Sequence, residues 1–269
     1  MVIAVGLALL LQATGPAPAL TAVETRRIAA PEADQGVAAD AASVYAVDNN
    51  TIARYALATG ERTAVWQGDP ALFPHINSCA RVDADLVCAA SNYSATPMSS
   101  SVEVFDAATL TYRRTVSLGP DMGGSLTVLD RHDGSWWAVF ANYDDRGGNP
   151  GHDHRWTVLM RLDENFQRQE AWLFPQTVLD RIAPMSVSGA AWNPDGLLYV
   201  SGHDRPEVYV MALPQGGSTL RHVATVAMPT EGQAIDWDAG DSRLLWSIQR
   251  DDTGGRIVAS RVPTIPVMP

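Results

Sequence analysis

Four of the six histidines fall in short segments rich in Asn, Asp, Ser and Tyr, namely Pro74-His75-Ile76-Asn77, His152-Asp153-His154-Arg155 and Gly202-His203-Asp204. Imidazole titrates near neutral pH and a neighbouring carboxylate can orient the ring, so His75 and His203, the latter beside Asp204, are candidate proton carriers. Tyr93 and Tyr143 are candidate second acids. Arg155 and Arg250 carry the planar fork that matches a substrate carboxylate. His, Tyr and Arg together suit proton abstraction beside a carboxylate, hence lyase or isomerase chemistry on an acidic sugar or small organic acid. The same imidazoles suit a divalent transition metal. His152 and His154 share one side of an extended backbone, and with His75 and His203 they form a candidate ligand set; no other cofactor is indicated. The plainer alternative is that these side chains cap strands, order water or, for the arginines, form surface ion pairs.

Other chemistries are less well provided for. A glycosidase needs two carboxylates facing each other, and no acidic pair stands out among Asp48, Asp144 and Asp204. There is no Gly-x-Ser-x-Gly elbow for a serine hydrolase, and Ser99-Ser100-Ser101 reads as a loop.

The elements that must position these groups are five copies of one plan: a short apolar strand, an Asp- or Gly-rich turn, a more hydrophobic strand, a polar loop, then two further strands. The copies begin near Gly36, Ser78, Ser125, Gly189 and Ala234. A spacing of this length is that of a four-stranded blade, which predicts an all-β, five-bladed β-propeller; a sandwich or a simple barrel would not require the repeat. The last copy stops after its third strand, Arg256 to Val262, so an outer strand from Val23 to Ile28 is expected to close the ring and remove the free edges. In such a ring the second strands end on one face. That face would receive Asp48-Asn49, Ser91-Asn92-Tyr93, Asn142-Tyr143-Asp144, His203-Asp204 and Gln249-Arg250, with Asn77, Ser188 and Gln233 from the connections between blades. Asn49, Asn77, Asn92, Asn142, Arg155, Ser188, Asp204, Gln233, Gln249 and Arg250 are therefore the candidate contacts for a small polar ligand in an axial pocket.

A net charge of −11 and a pI of about 4.8, with none of the 19 Lys and Arg in a basic run, exclude a nucleic-acid binder. Residues 1–22 read as a signal peptide, an apolar run and then small residues, with cleavage expected after Ala19 or Ala22. Residues 23–269 read as one exported domain, periplasmic or extracellular, with no membrane span and monomeric. Cys79 and Cys88, the two cysteines, flank the turn signal Asp83-Ala84-Asp85. With a two-residue turn they would face each other, and an oxidising compartment would allow a disulfide; the alternative is a pair of small buried thiols.

The segments Pro74 to Ser78, Ser91 to Tyr93, Pro97 to Val104, Ala141 to Asp144 and Gly196 to Asp204 resemble a group of exported bacterial propellers carried under a generic cycloisomerase label. The resemblance runs over most of residues 36–262 and implies a propeller with lyase or isomerase chemistry. The repeat style, including Asn193-Pro194-Asp195-Gly196, is also similar to gluconolactonase-like propellers, although their calcium-binding Glu/Asn/Asp set has no match here. Gln35-Gly36 is similar to a feature of glutaminyl cyclotransferases, whose acidic Glu-Gly-Leu segment is replaced by His75-Ile76-Asn77. These likenesses keep lactone hydrolase and cyclotransferase activities as minor alternatives. A non-catalytic glycan- or metabolite-binding propeller is the main one, and a protein-interaction scaffold is a further one.

Overall fold

The two-residue turns explain why each segment folds locally. In the third copy Asp133 and Gly134 both have positive φ (46° and 71°), the pairing that matches the twist of the flanking strands, and His132 consequently sits opposite Ser135. In the second, Val82 pairs with Asp85 and Asp83 has φ 50°, which places Cys79 directly opposite Cys88, where they are disulfide-bonded.

The computed structural model describes residues 20–120, 122–146, 149–250 and 254–265. Its strands are, in chain order, β1 (Leu20–Thr21), β2 (Val23–Ala29), β3 (Gly36–Ala39), β4 (Ser43–Asp48), β5 (Thr51–Ala56), β6 (Arg62–Gln67), β7 (His75–Val82), β8 (Asp85–Ser91), β9 (Ser100–Asp106) and β10 (Tyr112–Gly119). They continue with β11 (Ser125–His132), β12 (Ser135–Ala141), β13 (Val158–Leu162), β14 (Arg168–Leu173), β15 (Gly189–Trp192), β16 (Leu198–Ser201), β17 (Glu207–Ala212), β18 (Arg221–Ala227), β19 (Asp236–Trp237), β20 (Leu244–Gln249) and β21 (Arg256–Arg261). Four sheets run β3-β4-β5-β6, β7-β8-β9-β10, β11-β12-β13-β14 and β15-β16-β17-β18, and the fifth runs β19-β20-β21-β2. The protein is thus a five-bladed β-propeller, and β2, near its amino-terminal end, supplies the outermost strand of the last blade.

Apolar side chains from facing sheets fill the space between each pair of neighbouring blades. Tyr45, Ile52, Ile76, Leu86 and Phe105 join blades 1 and 2, for example, and Ile28, Val37, Val44, Trp246 and Ile257 join blades 5 and 1. Close approach near the axis depends on glycine, as Gly36 and Gly232 show. A Cβ on Gly36 would lie 2.5 Å from the Asn77 carbonyl oxygen, and one on Gly232 would lie 2.1 Å from that of Gly202.

Two elements differ from expectation. Helix α1 (Gln176–Ile182) lies between blades 3 and 4 and buries Val178, Leu179 and Ile182 in their shared core. Its apolar residues at i, i+1 and i+4 fit a helix face, but seven residues give too short a period to distinguish from a strand connection. Strand β1 adds a fifth, parallel strand to blade 4, pairing Leu20 with Val226, and the Ala22 amide continues the contact to Ala227 at 2.9 Å. A chain starting at Leu20 keeps this contact and one starting at Val23 loses it. Of the segment read as a signal peptide, residues 1–22, all but the last three residues lie outside the described residues. No helix among the described residues is long and apolar enough to cross a membrane.

Candidate functional site

The ends of the second strands and the starts of the inner strands gather on one face, where they form a continuous ring with two unlike halves. Blades 1 to 3 supply the first half. His75 opens β7 and is 8% exposed; its Nδ1 donates to Asn49 Oδ1 at 2.6 Å. Asn49 Nδ2 itself donates to Asp48, which fixes the amide orientation and therefore the imidazole tautomer, leaving Nε2 as the acceptor. The Asn77 amide lies 3.3 Å from that Nε2, and the buried Asn77 Oδ1 has no hydrogen-bond partner. Burial pushes the His75 pKa down to about 4, against a smaller opposing pull from Asp34. His75 is therefore neutral at pH 7, which corrects the expectation of a proton carrier poised near neutrality: the inner strand withdraws the ring from water.

The Tyr93 ring lies 5.3 Å from that of His75 and 4.9 Å from that of Tyr143. Tyr143 is 6% exposed and packs on Met185; burial raises its phenol pKa. The hydroxyls of Ser91 and Ser125 share a buried hydrogen bond of 2.7 Å beneath these rings.

Blades 4 and 5 supply the second half. Gln233 is 2% exposed and has φ 74°, a left-handed conformation that a non-glycine residue adopts at a cost and that clusters at functional sites. With its amide oxygen turned toward the available donors, it accepts from both terminal nitrogens of Arg250, at 2.8 and 3.3 Å, and lies 3.3 Å from His203 Nε2. Arg250 also reaches the His203 carbonyl at 3.4 Å. His203 Nδ1 is hydrogen-bonded to the exposed carboxylate of Asp204. The halves meet on both sides. The Gln35 carbonyl accepts from the Ala234 amide at 3.4 Å on one side, and the Val187 carbonyl accepts from the Thr127 hydroxyl at 2.8 Å on the other, while the Ser188 amide pairs with the Ser201 carbonyl within blade 4.

The remaining candidates are committed to local structure. Asn92 bridges its own loop through Pro97 and Ser99, Asn142 binds the Gly123 and Trp156 carbonyls, and Gln249 binds the Arg250 carbonyl. Arg155 forms a bidentate pair with Asp153 at the rim. His152 stacks on Trp156, with ring centroids 4.3 Å apart. The four histidines named as a metal set do not converge: among the described residues the one group of three metal-competent side chains is Asp144, Asp153 and His154. A long loop left their relative positions open, and it folds His154 back onto Asp144 at 2.7 Å. Asp34 and Ser125 also belong to the ring but carried no signal of their own, since each sits singly near a strand end or in a connection.

Fold and site define a five-bladed propeller whose polar strand ends face one opening. No family model matches the chain, and no curated protein matches it in sequence. Among solved structures it is similar to a luciferin-regenerating enzyme (10% identity, TM-score 0.52, covering 87% of this chain and 92% of that one). It is also similar to the PQQ-bound aldose sugar dehydrogenase of Streptomyces coelicolor (12%, 0.55, 93% and 100%). A third similar structure is the calcium-binding protein regucalcin of Agrobacterium tumefaciens (13%, 0.54, 93% and 99%). Identities this low establish the fold alone.

Proposed function

We propose that this protein is exported and binds a small polar anionic ligand, an acidic sugar or small organic acid, on the loop face between the two halves of the ring. The observation that carries the reading is the convergence of Arg250, Gln233 and His203 on the face that also carries a neutral, oriented His75. A guanidinium fork takes a carboxylate, and the unpartnered Asn77 Oδ1 offers an acceptor for a ligand hydroxyl. His203, oriented by Asp204, is the group that would exchange a proton with the carbon next to the carboxylate, as a lyase or isomerase requires. His75 would act as a neutral hydrogen-bonding partner. The Cys79–Cys88 bond favours an oxidising compartment and supports export. The sugar dehydrogenase among the structural neighbours is in keeping with a small-molecule ligand, although it shares only the fold.

The test is incubation with a panel of sugar acids and hydroxy acids in deuterated buffer. Proton magnetic resonance is expected to show exchange at the carbon beside the carboxylate, lost in His203→Gln. Binding without exchange would favour the non-catalytic alternative, which the low basicity of His75 already recommends as the second reading.

A further inference from the structure

The loop that joins β12 to β13 forms a second polar centre outside the ring. Asp144 follows β12 and its amide is tied to the Pro184 carbonyl at 3.0 Å, so one carboxylate is fixed to the rigid part of the blade. Asp153 and His154 lie at the start of the short 3-10 turn His154–Trp156. One ligand atom from each of Asp144, Asp153 and His154 lies within 4.8 Å of the other two. Bonds of about 2.0–2.2 Å place ligand atoms about 3–4 Å apart around a cation, so the group is nearly assembled and small side-chain rotations complete it. The three line one cavity of about 650 Å³, bounded on its far side by Gln176, Asp180 and Ala183. Four carboxylates line this space (Asp144, Asp145, Asp153 and Asp180), against one permanently charged cation, Arg155. His152 lines it too, and its Nδ1 is buried without a partner.

We propose that Asp144, Asp153 and His154 bind a divalent transition cation such as Zn²⁺, with His152 in position to add a second nitrogen and the cavity leaving coordination positions open. One or two imidazoles beside two carboxylates favour this class over Ca²⁺ and Mg²⁺, which prefer oxygen-only sets. Arg155 competes for Asp153 through its bidentate pair. Binding therefore displaces a guanidinium, and the cation is expected to be exchangeable. The inference does not depend on the proposed ligand of the ring, and its test uses metal alone.

The full-length protein, purified with chelator and then freed of it, is titrated with Co²⁺, Zn²⁺ and Ca²⁺ by calorimetry, with Co²⁺ absorption as a second readout. One equivalent of Co²⁺ or Zn²⁺ is expected, with a visible band reporting nitrogen ligation and Ca²⁺ binding at least tenfold weaker. Asp144→Asn and His154→Gln should each weaken Zn²⁺ by about tenfold or more. Arg155→Ala should tighten it several-fold, a gain that misfolding cannot imitate. His132→Ala, on the opposite face, should change nothing. Absence of binding, preference for Ca²⁺, or affinity that survives Asp144→Asn and His154→Gln but disappears in a His75→Ala/His203→Ala variant would overturn the assignment.

Discussion

The two halves of the ring use the same kinds of residue to opposite ends. On blades 1 to 3 a histidine is buried, held neutral by desolvation, bonded to amides and flanked by the ring of Tyr93, which in turn packs on Tyr143. On blades 4 and 5 a histidine is half-buried, bonded to a carboxylate, and grouped with a guanidinium by a glutamine in a left-handed conformation. Position explains the difference. His75 belongs to an inner strand, which the ring surrounds, whereas His203 follows the end of a second strand, where the chain turns out toward solvent. A site with one dry, uncharged side and one charged side orients a ligand that has an anionic end and a neutral body.

The comparison is broken most severely at Gly232. Its added Cβ would meet the backbone of Gly202 and His203, so Gly232→Ala should cost about 3 kcal/mol in denaturant unfolding and displace the charged half. Gly196→Ala, at positive φ (80°) but with open space around it, should cost only about 1 kcal/mol. Equal costs would mean that the close approach at Gly232 does not hold blades 4 and 5 together in the charged half.

The neutral half can be sharpened through pH. His75 has a folded pKa of about 4 against an ordinary value of 6.5, so the unfolded chain binds the extra proton between those values. Stability therefore rises with pH from about 4 to 6.5, by about 3 kcal/mol in all, and is lost as pH falls through that window. His75→Gln should remove this slope, while His203→Gln should leave it in place. A slope that follows His203 would reverse the assignment.

Smaller effects are expected from the hairpin and from Gln233. Opening the loop closed between Cys79 and Cys88, nine residues apart, by a double Ala substitution should cost about 2–3 kcal/mol. Both halves should survive, because the strand register also rests on hydrogen bonds and packing. Gln233→Gly relieves the backbone but removes the acceptor between Arg250 and His203. Stability should change by about 1 kcal/mol or less, while ligand affinity falls at least tenfold. A large loss of stability would instead make Gln233 a structural residue.

The blades were legible in the sequence because each depends on a local signal, an Asp- or Gly-containing turn between two apolar runs, and because one blade visibly lacked a strand that Val23 to Ile28 could provide. Helix α1 and strand β1 were not legible: one spans only seven residues and the other is two residues long and pairs with the outer edge of blade 4, next to the blade that β2 completes. For the site, the location of polar strand ends followed from topology, but burial did not. Nothing in Pro74-His75-Ile76-Asn77 shows that the ring will close over the imidazole, and nothing in Asp153-His154-Arg155 shows that Arg155 will turn to Asp153. The first depends on which strands and loops meet around the axis, the second on how one loop turns at the rim.

The most direct test of the two-sided site is the histidine side-chain resonance spectrum of ¹⁵N-labelled protein, assigned through His75→Gln and His203→Gln and recorded with a panel of sugar acids and hydroxy acids. The account predicts that His75 reports a neutral ring with protonated Nδ1 down to about pH 4. It also predicts that at least one acid shifts the His75 and His203 signals together, and that Arg250→Ala abolishes both shifts. Protonation of His75 near pH 6.5, no response to any acid in the panel, or shifts that persist in Arg250→Ala would contradict it.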